Sequence, residues 1–157
     1  MLKKLNLSQR QKSGLRLWLE LLSLSNSIRK ALHARLVEKY DMGLSRFDIM
    51  AGLERAGKDG IRLGPLSKLL KVSGGNVTQV IKPLIDAGFV IREVEPHDRR
   101  AAKARLSEAG EALFYEMATD HAAWLEDLLA PLEADQQDLM LAMLKELAPD
   151  EDEENDS

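Results

Sequence analysis

The chain of 157 residues contains no cysteine. Disulfides, thiolate nucleophiles and thiol-based redox sensing are therefore excluded. Its three histidines, His33, His97 and His121, show no zinc-ligand spacing, and no glycine-rich phosphate loop occurs. Enzyme chemistry thus finds no support, and neither a catalytic site, a metal site nor a cofactor is expected. No apolar run approaches the roughly 18 residues that cross a bilayer. The opening "MLKKLNLSQRQKSG" lacks a signal-peptide core, so the expectation is a cytoplasmic protein without a membrane partner.

What is present fits one domain, or one domain with a helical appendage. Apolar residues make up 45% and charged residues 31%, the balance of a soluble globular chain. The net charge of −4 is unevenly spread. Residues 1–40 carry +7, residues 41–64 balance, residues 65–105 carry +4, and residues 107–157 carry −15. Such asymmetry reads either as solvated helix faces or as a basic part that meets a polyanion.

Apolar residues at Leu17, Leu21, Leu24, Ile28, Leu32 and Leu36 recur near a 3.6-residue period and predict a helix over 14–40. Trp18, Leu22 and Leu15 widen its stripe, and Gly43 is read as its stop. Ser45 followed by Asp48 resembles a capping box for a second helix over 46–56. "AGKDG" is a turn, and "IRL" at 61–63 is at most an edge strand. Pro65 suits the first position of a short third helix, to about Lys71. Ser73 suits the N-cap of a fourth, to about Ala87, with Gly88 as its stop. "FVIREVE", the turn "PHDRRA" and "AKARL" at 102–106 read as a hairpin. Ser107 caps a fifth helix to about Ala130, with Leu113, Met117, His121, Trp124 and Leu128 on its stripe. Pro131 breaks it, and a last helix over 134–147 carries Leu139, Met143, Leu144 and Leu147. The tail, residues 149–157, has six acids and no apolar residue, and is expected to be disordered.

Helix, turn, helix, hairpin is the order of a winged helix-turn-helix. The fold class expected is mainly α with a small β-hairpin wing. Residues 41–106 form the winged domain, and residues 1–40 with 107–148 form a helical dimerisation region. A helix of this type enters the major groove of double-stranded DNA and reads bases near its N-terminus. Here that end reads "SGGNVTQVIK". Gly74 and Gly75 are poor helix formers, which points to close approach of DNA or to tight packing on the preceding helix. Asn76, Thr78 and Gln79 are suitable base readers, Lys82 reaches phosphate, and Ser73 starts the helix. Val77, Val80, Ile81 and Leu84 form the core face. Pro83 removes the bond to the Gln79 carbonyl, so a kink or early break near Lys82 is expected. Arg99 and Arg100 at a hairpin tip fit a phosphate-binding wing. His97 is read as a turn residue.

Residues 44–110 resemble the MarR family of bacterial transcription regulators. The resemblance lies in "LSRFDIMAGL", in "PLSKLLKVSGGNVTQVIKPLIDAGFVIRE" and above all in the wing signature "DRRAAKARLSEAG". It implies that Asp98 orients Arg100, which enters the minor groove, and that Arg99 makes a second contact. It implies a homodimer built by the terminal helices on a palindromic operator, and usually repression. Pro83 departs from the family's pattern, in which a small polar or basic residue is more usual. The double glycine is similar to members that respond to aromatic acids or their coenzyme A thioesters. In the family a small-molecule effector binds between the dimer helices and the DNA-binding lobe. Asn26, Arg29 and His33 on helix 1, facing Phe47, Met50 and Tyr115, are the candidates, and an Arg there suits a carboxylate or phosphate. The rival reading is a winged helix used for protein–protein contact, which needs no basic wing.

Overall fold

The computed structural model describes residues 6–69 and 77–148, apart from the side chains of Leu69, Glu95, Arg99 and Arg100. Ser73, Gly74, Gly75, Asn76 and the acidic tail, with the roles expected of them, lie outside the described residues.

Helix α1 spans Gln9–Tyr40 and begins earlier than its apolar period suggests. Ser8 is the reason. Its hydroxyl accepts the Gln11 backbone N–H, and the Gln11 side chain accepts the Ser8 N–H at 2.8 Å. This reciprocal pair satisfies orphan donors of the first turn. The helix ends on Asp41, in the left-handed region at φ 54°, and not on Gly43. Gly43 is instead the extended N-cap of α2, Leu44–Ala56. The capping box expected from Ser45 and Asp48 does not form, because both lie inside the helix. The Leu44 N–H is satisfied by His33 Nδ1 at 3.2 Å instead.

Strand β1, Ile61–Arg62, leads directly into α3, Leu63–Leu69. Pro65 is thus the third residue of that helix, not the first. Helix α4, Val77–Asp86, runs unbroken through Pro83, which overturns the expected early break. Proline removes one backbone bond, but Ile81 and Leu84 on either side of it are buried. Burying two such side chains contributes about 1.5–3 kcal/mol each, enough to offset a proline cost of about 3 kcal/mol. Gly88 ends the segment at φ 80°, a conformation suited to glycine.

Strands β2, Val90–Glu95, and β3, Asp98–Leu106, form an antiparallel hairpin. The sheet order is β1-β3-β2, so β1 is an edge as expected. The turn is shorter than "PHDRRA". Asp98 pairs with Glu95, leaving only Pro96 and His97 between the strands, and Asp98 to Arg100 belong to β3. A two-residue loop is the commonest hairpin closure.

Helix α5, Glu108–Leu129, is capped by Ser107, and α6 spans Ala134–Leu147. Leu36, Ile49, Met50, Leu53, Leu66, Leu84 and Met117 are the fully buried core, drawn from α1, α2, α3, α4 and α5. The end of α1 is tied to α5 by Lys39 and Tyr40, both of which donate to Asp120. Burial, followed by the Asp120 bond, pushes the Tyr40 hydroxyl up to about 12. The first half of α1 and all of α6 are different. Trp18 is 58% exposed, Leu17, Leu19 and Leu24 are also exposed, and α6 buries no residue at all. No helix among the described residues is long and apolar enough to cross a membrane.

Candidate nucleic-acid interface

The strong amphipathicity of "VTQVIKPLID" sets the geometry of α4. Val77, Ile81 and Leu84 are buried, so the helix presents Thr78, Gln79 and Lys82 outward. Three of the residues proposed as readers or phosphate contacts thus share one exposed face. Lys82 is not unpaired there. Its ammonium bonds Asp86 at 2.6 Å, one turn along, and both side chains are largely exposed. An exposed pair of this kind is worth little and yields easily to a phosphate. Asp86 was not singled out in the sequence; the i,i+4 spacing from Lys82 was the available signal.

The wing flanks this helix. Thr78, Lys82 and Ile85 border Arg92 and Ala104 of the sheet. Across the hairpin, Arg105 Nε donates to Glu93 at 2.9 Å. The backbone of Arg99 and Arg100 lies in β3, and Asp98 opens that strand. Ser107 clamps the base of the wing: its Oγ donates to the Gly88 carbonyl at 2.6 Å and accepts the Gly110 N–H at 3.0 Å.

The six effector candidates occupy different environments. Asn26 is exposed on α1. Met50 is fully buried in the core. His33 caps α2. Tyr115 is exposed and donates to Glu54 at 3.0 Å, and that bond leads the effects that raise its hydroxyl pKa. Phe47 stacks on His121 with ring centres 4.6 Å apart and on Phe114 at 5.7 Å. Arg29 acts on Asp48, which lies inside α2 and does not cap it. Burial pushes the Asp48 carboxyl up, while the charges of Arg29 and His121 pull it down. Its Oδ2 is shielded from solvent and has no hydrogen-bond partner among the described residues. Burial likewise pushes His121 down, and Asp48 partly restores it. The sequence pattern shows Asp48 and His121 only as helix positions, so their electrostatic influence on each other across α2 and α5 is not legible there.

Comparison with known proteins gives this arrangement its context. The MarR family model matches residues 40–101, the stretch from the end of α1 into the wing. A MarR family transcriptional regulator of Silicibacter pomeroyi is 31% identical and superposes with a TM-score of 0.77, over 90% of this chain and 96% of that one. YkoM of Bacillus subtilis, an HTH-type transcriptional regulator, is 38% identical over 79 residues, 50% of this chain and 51% of its own length. The chain therefore spans about half the length of that curated relative. A MarR variant of E. coli, solved in complex with operator DNA, shares the fold at 21% identity with a TM-score of 0.73, over 90% of this chain and 100% of that one. With a relative above 30% identity aligned along almost its whole length, the chain belongs to the MarR family of transcriptional regulators.

Proposed function

We propose that the protein binds a palindromic operator in duplex DNA as a homodimer in the cytoplasm, and that it represses until a small-molecule effector releases it. The observation that carries this reading is the exposed polar face of α4, Thr78, Gln79 and Lys82, beside a hairpin whose strand contains Arg99 and Arg100. Gln pairs with adenine, Thr offers its hydroxyl to a base edge or its methyl to the thymine methyl, and cations hold phosphate. The E. coli relative solved with operator DNA supports the same use of the fold. A winged helix devoted to protein contact has no use for adjacent arginines on its wing.

The exposed apolar residues of α1 and α6 support the dimer. One chain leaves Leu17, Trp18, Leu19, Leu139, Leu141 and Leu147 more than half exposed. Large apolar side chains left exposed on two helices of one chain favour an interface. A twofold dimer reads half-sites about 34–36 Å apart. An effector acting where α1, α2 and α5 meet would reach Arg29 and Phe47 and shift the lobe against the dimer helices. Enzymatic footprinting on the protein's own promoter tests the reading. Two protected half-sites one helical turn apart are expected; no protected palindrome at any concentration overturns it.

A further inference from the structure

Helix α4 has two flanks. The first adjoins the sheet, as described above. On the second, Gln79 and Pro83 share a groove with Ser45 and Arg46 at the start of α2 and with His33 of α1. The wing supplies cations on the first flank. Arg46 is the Lys/Arg cation that lines the second among the described residues.

Arg46 has no ion pair among the described residues. Its Nη1 donates to a backbone carbonyl, that of Asp41, at 3.4 Å. Asp41 also borders the groove, and among the described residues its carboxylate forms no ion pair with Arg46. A guanidinium held by a neutral carbonyl keeps its charge and its remaining donors for another acceptor. The neighbour across the groove is Gln79, on the reading face of α4.

We propose that Arg46 grips a DNA phosphate on the flank of α4 opposite the wing, and that His33 is the positioning residue that aims it. The proposal rests on the DNA-binding reading. With a helix in the major groove, the strands on either side of it present phosphates to both flanks. The wing faces one, and Arg46 faces the other.

The positioning role of His33 follows from three contacts. Its Nδ1 accepts the N–H of Leu44, the first residue of α2, at 3.2 Å. Its ring lies over Gly43 so closely that a β-carbon there would come within 2.6 Å of Cε1. The Gly43 carbonyl in turn accepts the Arg46 N–H at 3.1 Å. The imidazole therefore fixes the two residues from which Arg46 is suspended. Acceptance at Nδ1 requires its proton on Nε2, so a side chain that keeps an acceptor at this place preserves the arrangement and a purely apolar one does not.

The test is fluorescence anisotropy of the full chain on its own promoter duplex, with salt varied between 50 and 300 mM. Loss of one phosphate contact lowers the magnitude of the slope of log affinity against log salt by about 0.9 and weakens binding at all sequences alike. Arg46→Ala is expected to show that change, with roughly tenfold weaker binding at low salt, and Arg46→Lys is expected to keep the wild-type slope. His33→Leu is expected to reproduce the Arg46→Ala slope, and His33→Asn to restore the wild-type slope. An Arg46→Ala protein with wild-type affinity and slope overturns the phosphate contact while leaving the DNA-binding reading intact. A His33→Leu protein with the wild-type slope overturns the positioning role. A wild-type chain without affinity for duplex DNA overturns the broader reading and this inference with it.

Discussion

Gly110 and Phe89 are packed so closely that a β-carbon on Gly110 would overlap the Phe89 carbonyl oxygen. The same oxygen accepts the Ser107 N–H at 3.0 Å. The start of α5 is thus seated directly on the start of the wing. Gly110→Ala must push the helix off that seat, and overpacking of this kind costs about 2 kcal/mol. Urea unfolding is expected to show a lowered midpoint with an unchanged slope. A midpoint equal to that of the wild type would mean that the seat is looser than described.

Asp48 gives a pH-dependent prediction. Burial raises its carboxyl above the ordinary value of 3.8. A group raised in the folded state is bound to its proton more tightly there than in the unfolded chain. Its contribution to stability is therefore complete below 3.8 and is lost as the pH rises through the folded value. Relative to Asp48→Asn, the wild type is expected to gain stability as the pH falls from 7 towards 3.5. At pH 7 the variant is expected to be the more stable by about 1 kcal/mol, since it removes a charge whose Oδ2 is shielded and has no hydrogen-bond partner among the described residues. Paired thermal melts across that range decide it. A constant difference would show that Asp48 titrates as it does in the unfolded chain.

The dimer proposed on α1 and α6 predicts the behaviour of Trp18 and Leu144, both exposed in one chain. Trp18→Glu combined with Leu144→Glu places charges at two exposed apolar positions outside the core of a single chain. Sedimentation equilibrium is expected to show a shift from dimer to monomer, with the helical circular dichroism signal retained. A dimer of unchanged strength would move the interface elsewhere.

Much of this was legible in the residues. The order of helices, hairpin and helices, the cap at Ser107 and the stop at Gly88 follow from periodicity and local chemistry, and each is found in place. The misses have a common cause. Ser45 and Asp48 satisfied a local capping pattern, but His33, eleven residues before Leu44, made the cap instead. Pro83 looked like a break because its local cost is visible in sequence, while the burial of Ile81 and Leu84 that offsets it is not. The Asp48–His121 relationship and the groove joining Arg46 to Gln79 bring together elements far apart in the chain, and no spacing rule reports them. Contacts beyond the local pattern decided these departures, whereas the early start of α1 was set locally by Ser8 and Gln11.

The most direct test of the central claim is the salt dependence of binding to the protein's own promoter DNA, measured for the wild type and for Arg99→Ala/Arg100→Ala. The account predicts tight wild-type binding that weakens steeply with salt, and a variant whose slope is smaller in magnitude by about 0.9 to 1.8, one to two contacts' worth of released counterions. Identical affinities and identical slopes for the two proteins would contradict it.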